Sequence, residues 1–214
     1  MNDMNRVIKV SLALLAGVGL TWFFPLFRIV PLEQVLAAKT ADFNAVSFVR
    51  EFWDKQLVPT FEQAHDASEV VTMIKADPES ARKTFGKSVG IGRVYFYFLR
   101  GEGTIVSVEK SGVAVNLIAP DDEADVAIKT GLIFGNAIRD ATGQLRASDY
   151  ANSQDYNDIS KELNHLVQTE VLPILNKEAR PGRKIRFVAC AEVRESNKKL
   201  LPLTLVPLEV KFPE

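Results

Sequence analysis

The sequence predicts an α+β protein: a curled, five-stranded antiparallel sheet with a packed helical layer, preceded by an apolar N-terminal helix. Three observations predict it. Residues 90–135 read as three consecutive β segments joined by tight turns. Residues 42–86 repeat apolar side chains at three- and four-residue steps. Residues 10–27 carry no charge at all.

That uncharged run would span about 27 Å as a helix, close to the thickness of a bilayer's hydrocarbon core. Arg6 and Lys9 precede it and Trp22, Phe23, Phe24 and Phe27 close it, as basic flanks and interfacial aromatics do in membrane segments. A cleaved secretory signal has a shorter apolar region, so an uncleaved anchor is favoured and cleavage stays open as the competitor. No cysteine follows the run, so lipid attachment is not expected there. The basic flank keeps the N-terminus cytoplasmic and exports the remainder. Residues 1–34 are therefore anchor or signal plus connector, 35–89 the helical layer, and 90–214 the β domain.

In the helical layer Phe43, Val46, Val49, Trp53 and Leu57 mark one face up to Pro59, which ends or interrupts the helix. Asp66 to Glu69 resembles a capping box opening a second helix. Asp77-Pro78 starts a third, closed by Gly86.

In the first strand Val94, Phe96 and Phe98 alternate with Tyr95, Tyr97 and Leu99, so both faces are apolar. Gly101 and Gly103 predict a bulge or sharp bend. Lys110-Ser111-Gly112 is a hairpin turn, and Val113, Val115 and Leu117 follow on the second strand. The third is expected over 125–134, with Val126, Ile128 and Leu132 on one face. Residues 135–155 show little periodicity, which in a compact domain often marks a functional loop. A helix over 156–175 carries Ile159, Leu163, Leu166 and Val167 on one side and is ended or kinked by Pro173. Strands over 184–193 and 203–212 complete the chain, Pro202 and Pro207 making the last an edge or a bulged strand. Three strands, a helix and two more strands is the element order of an OB-fold barrel.

Composition narrows function. Net charge is −1, or −3 without the first thirty residues (Arg6, Lys9, Arg28 and Asp3), so nucleic acid is not an expected partner. The single cysteine, Cys190, excludes an internal disulfide and a cysteine zinc cluster. It lies in an apolar run and reads as a small buried hydrophobe.

Several stretches resemble a known family. They are Phe24-Pro-Leu-Phe-Arg-Ile-Val-Pro-Leu, Arg100-Gly-Glu-Gly-Thr-Ile-Val-Ser-Val, Ala124-Asp-Val-Ala-Ile-Lys-Thr-Gly, Gly135-Asn-Ala-Ile-Arg-Asp-Ala and Tyr150-Ala-Asn. Together they are similar to the predicted periplasmic lipoproteins grouped as domain of unknown function 2291. The resemblance implies no established activity. It implies an envelope role near sugar ABC transporters. The missing acylated cysteine departs from the lipoprotein pattern, and the apolar helix takes its place as anchor.

Among candidate side chains, Asp121, Asp122, Glu123 and Asp125 offer oxygens to a hard cation, but their spacing fits no calcium loop, and a solvated turn is the preferred reading. Asn136, Arg139, Asp140 and Asn152 in the 135–155 loop are the candidate ligand-binding residues, since a guanidinium fork and carboxamides suit a small polar ligand such as a sugar. The competing reading is an Arg139–Asp140 network that only holds the loop. His65 and His165 lack an evident nucleophile, and no catalytic motif is present. Arg180, Arg183, Lys184 and Arg186 form a basic stretch suited to solvent or anionic headgroups. No cofactor or metal is expected. The sequence thus points to a non-catalytic envelope accessory or binding protein beside ABC-transporter subunits, held to the membrane by residues 10–27. The alternative is a periplasmic binder of a small polar ligand using the 135–155 loop.

Overall fold

Asn44 opens the first helix, its side-chain oxygen accepting from the Ser47 amide at 3.1 Å. A computed structural model describes residues 43–89, 93–118, 123–150, 152–197 and 199–213. Within it Asn44–Glu214 is one unit. The apolar 10–27 segment lies outside the described residues, and no described helix is long and apolar enough to cross a membrane.

Helix α1 spans Ala45–Phe52 and loosens into a π turn over Trp53–Leu57. A 3-10 segment, Val58–Gln63, then carries Pro59 at its start. The proline has no amide to give the turn before it, so the interruption is the one its chemistry demands. His65–Asp66 forms the two-residue strand β1. Asp66 caps α2, Ala67–Ala76, by accepting from the amides of Ser68 and Glu69. Asp77 caps α3, Pro78–Phe85, and β2 is Lys87–Ser88.

The hydrogen bond from Ser68 holds the Asp66 carboxyl below its ordinary value of 3.8. Its contribution to stability is therefore complete above that pH and is lost as pH falls through the lowered value. Asp66→Asn keeps a good cap and removes the titration, so its acid-denaturation limb below about pH 4 should be shallower than the parent's.

The sheet is built on β3, Val94–Glu109, which pairs antiparallel with β4, Gly112–Asn116. β4 pairs antiparallel with β5, Val126–Lys129. Two later strands, β6 (Lys184–Arg194) and β7 (Leu203–Lys211), pair antiparallel with each other. β7 also lies parallel to β5, and β6 runs antiparallel to β3 from Val94 to Thr104. Each of these five strands has two partners among the others, so the pairings close a ring. Aligned rows fill it: Val113, Ile128 and Leu205 in one, Val115, Val126 and Leu203 in the next, all fully buried. The other edge of β3 is covered by β1 and β2, and Phe61 of the helical layer packs on Phe98. Both faces of residues 96–99 are buried, as their composition demands.

Three expectations change, and one open alternative is decided. The sheet is not wholly antiparallel, because β5 and β7 run side by side in the same direction. Of the two forms expected for the last strand, edge or bulged, it takes the second: Pro207 sits where the β6–β7 register shifts, opposite Ala189, a position that asks for no ladder amide. Gly101 and Gly103 make no bulge. Register with β6 is unbroken through both, and the irregularity falls between Ile105 and Ser107. The third strand stops at Lys129, and Leu132, expected inside, is 74% exposed while Ile133 is buried.

Asp125 departs from the acidic cluster read in the sequence. Its carboxylate is 1% exposed. It accepts from the amides of Leu117 and Ile118 at 2.9 and 3.2 Å and pairs with Lys75 at 2.8 Å. It therefore ties α2 to the β4–β5 connection. Asp121 and Asp122 lie outside the described residues, and among the described residues no three His, Cys, Asp or Glu side chains are grouped as a metal ligand set.

Candidate functional site

Beyond Lys129 the chain runs as an extended strap. The Thr130 hydroxyl donates to the Lys110 carbonyl at 3.1 Å. Leu132 and Phe134 point outward and Ile133 inward, as alternation along an extended segment requires. Gly135 ends the strap at φ +93°, a left-handed conformation that only glycine adopts freely.

Among the described residues no sheet partner holds this strap. Side-chain carboxamides do so, from α5 (Ser153–Leu166) and the π turn Val167–Val171 beyond it. The Ile133 amide donates to Gln168 Oε1 at 3.3 Å. Asn164 Nδ2 donates to the Gly135 carbonyl at 3.0 Å, and Gln168 Nε2 to the Asn164 carbonyl at 3.2 Å. The π turn precedes α6, Leu172–Glu178, which carries Pro173 in its first turn. One wide turn lets the helix pass a residue that cannot donate.

Between the strap and α5 lies a cleft of about 480 Å³. The strap contributes Phe134 and leads into Asn136, while the helix contributes Asn157, Ser160, Lys161 and Asn164. Ser160 is only 6% exposed, and its Oγ has no hydrogen-bond partner among the described residues. Lys161 is charge-balanced by Asp158 at 2.7 Å. Lys161 first, and then Gln154, hold the Asp158 carboxyl below its usual range. The helix wall thus offers carboxamides over an enclosed hydroxyl, with its one ion pair internally balanced.

The four predicted site residues divide. Asn136 lines the cleft. Arg139 and Asp140 are 6% and 3% exposed on the short helix α4, Ala137–Ala141, so the loop expected over 135–155 holds a helical turn. Arg139 Nε and Nη2 meet the two Asp140 oxygens at 2.7 and 3.1 Å. Nη1 donates to the Tyr156 carbonyl at 3.2 Å, and the guanidinium lies 3.7 Å from the Tyr156 ring centroid. The Tyr156 hydroxyl donates to Asp140 Oδ1 at 3.2 Å. Burial, then the Asp140 charge, push that hydroxyl up to about 12, so it stays a donor at neutral pH. This arrangement satisfies the pair from within.

Asn152 accepts from the Asp155 amide at 2.8 Å and donates to its carboxylate at 3.0 Å, capping α5. Asn152→Ala should cost about 1 kcal/mol of stability, read by urea denaturation. Two of the four cations of the basic stretch are paired: Arg183 with Glu178 at 2.6 Å, where it also lies over Phe212, and Arg186 with Glu102 at 2.5 Å.

Sequence reasoning missed Phe134, Asn157, Ser160 and Asn164. A signal existed: Gln154, Asn157, Lys161, Asn164 and Gln168 recur at three- and four-residue steps, a polar stripe beside the apolar one.

A model of the family described as "Predicted periplasmic lipoprotein (DUF2291)" matches residues 12–211. No curated protein matches the chain. Among solved structures, the crystal structure of an OB-fold protein from Thermotoga maritima is similar. It is 29% identical, covers 80% of this chain and 99% of its own, and superimposes with a TM-score of 0.72.

Proposed function

The chain belongs to the DUF2291 family of predicted periplasmic lipoproteins, and on that footing we propose that it is a non-catalytic envelope protein that binds a small, uncharged polar ligand between the strap and α5. The observation that carries this is Ser160. A hydroxyl that is buried and unpartnered carries a desolvation cost, and here it lines a cleft with three asparagine side chains. The Oγ is closed to a water-sized molecule as it stands, so a ligand hydroxyl or amide satisfies it only with the serine turned toward the cleft. Asn136 contributes directly, whereas Arg139, Asp140 and Asn152 act by positioning α4 and α5. Membrane attachment through residues 10–27, beside ABC-transporter subunits, is the setting that the family resemblance suggests for such a module.

The test is a thermal-shift panel of neutral monosaccharides, polyols, small amides and zwitterionic amino acids at millimolar concentration. At least one member should raise the midpoint, because a ligand that binds only the folded state stabilises it by mass action. The rise should shrink in Asn157→Ala and in Ser160→Ala, which removes the orphaned hydroxyl and should itself fold as well as the parent. A silent panel, or shifts unchanged in both variants, would remove the proposal.

A further inference from the structure

We infer that Phe134 is a stacking platform and that the ligand is a neutral sugar in its ring form; this rests on the cleft reading above. Phe134 is 73% exposed, and among the described residues no other ring or cation packs on it. What distinguishes it from the equally exposed Leu132 is its place in the cleft lining, where its ring can offer an apolar face. Its backbone is fixed: Ile133 and Gly135 are both anchored by carboxamides of the opposite wall. The φ of +93° at Gly135 sets the direction in which the strap leaves.

The two walls differ in chemistry. The strap presents an apolar ring, while α5 presents carboxamides with the Ser160 hydroxyl enclosed behind them. Asn164 and Gln168 already hold the strap, which leaves Asn157 to give a donor and an acceptor in one plane, suited to a pair of neighbouring hydroxyls. Among the described residues that line the cleft the one cation, Lys161, is paired with Asp158, so the wall carries no net positive charge to draw a carboxylate or phosphate. A ligand matching both walls has a flat C–H face on one side and a fringe of hydroxyls on the other. A pyranose has that form, and an open-chain polyol does not. The cleft, at about 480 Å³, lies within the size range of small-molecule sites.

Titrate the full chain calorimetrically with glucose, galactose and mannose, and separately with sorbitol. At least one hexose should bind at least tenfold more tightly than sorbitol. Phe134→Ala should weaken that hexose by about tenfold while melting like the parent, since the side chain is exposed, and Phe134→Trp should restore affinity. Gly135→Ala, strained at this φ, should weaken the hexose without touching any cleft side chain. If sorbitol binds as well as the hexoses, or if Phe134→Ala binds them unchanged, stacking is wrong. A Ser160-dependent shift from any panel compound would then leave the cleft itself standing. If no hexose binds, the sugar assignment is overturned, and the cleft falls with it only where the wider panel is also silent.

Discussion

Arg139→Ala should lower the unfolding free energy by about 3–5 kcal/mol, the usual result of removing one partner from a buried ion pair. The cause is the carboxylate left behind. Asp140 is 3% exposed and would keep the Tyr156 hydroxyl while losing both guanidinium contacts. The variant also vacates space against the Tyr156 ring, which the guanidinium covers at 3.7 Å. Replacing both members with apolar residues of similar volume, Arg139→Met with Asp140→Leu, should recover much of the loss, because no charge is then stranded. Urea denaturation of the parent, both single variants and the pair reads the coupling directly. If Arg139→Ala unfolded at the parent's midpoint while losing ligand binding, the residue would be a ligand group, as the sequence alone suggested.

Gly103→Val should cost roughly 3 kcal/mol or more, at the upper end of what overpacking does. A Cβ at this position would come within 2.3 Å of the Asn116 carbonyl oxygen and 2.7 Å of a Val115 methyl. The first is backbone of the neighbouring strand and cannot swing aside. Here β3 passes from pairing with β6 alone to pairing with β4 as well, and the two strands crowd together. Gly101→Val meets the tip of the Phe187 ring at 2.8 Å, a side chain and not backbone, and should cost less. Comparing the two midpoints checks the argument, and equal costs would refute it.

These two sites show what was readable and what was not. That Gly101 and Gly103 matter is plain in a run of aromatic and β-branched residues. A bend was the natural inference because a lone glycine's best-known gift is conformational. Neither has a positive φ; both are glycines because another chain segment occupies the space. Arg139 and Asp140 were likewise conspicuous as adjacent opposite charges in an aperiodic stretch. Adjacency does not reveal burial, and burial came from Tyr156, an aromatic assigned in advance to the start of a helix.

The cleft residues were hidden for a different reason. The helix over 156–175 was read from its apolar stripe, because burying Ile159 and Leu163 is what makes it pack. The polar stripe beside it is silent until something faces it. What faces it is the strap, and the strap's course could not be read locally. Leu132, Ile133 and Phe134 are all apolar, and a strand continued through them looks as good as one that ends at Lys129.

The sequence by itself determined the order of the five main strands and of the longer helices, the helix starts at Asp66 and Asp77, the interruptions at Pro59 and Pro173, and the family. Each of these rests on chemistry acting within about one turn or one strand pair. Only the tertiary structure decided that β5 would lie parallel to β7, that Ile133 and not Leu132 would turn inward, and that Ser160 would be enclosed without a partner. Those outcomes depend on contacts between residues tens of positions apart, where packing and amide satisfaction, not local preference, select among strands and loops that look alike in the chain.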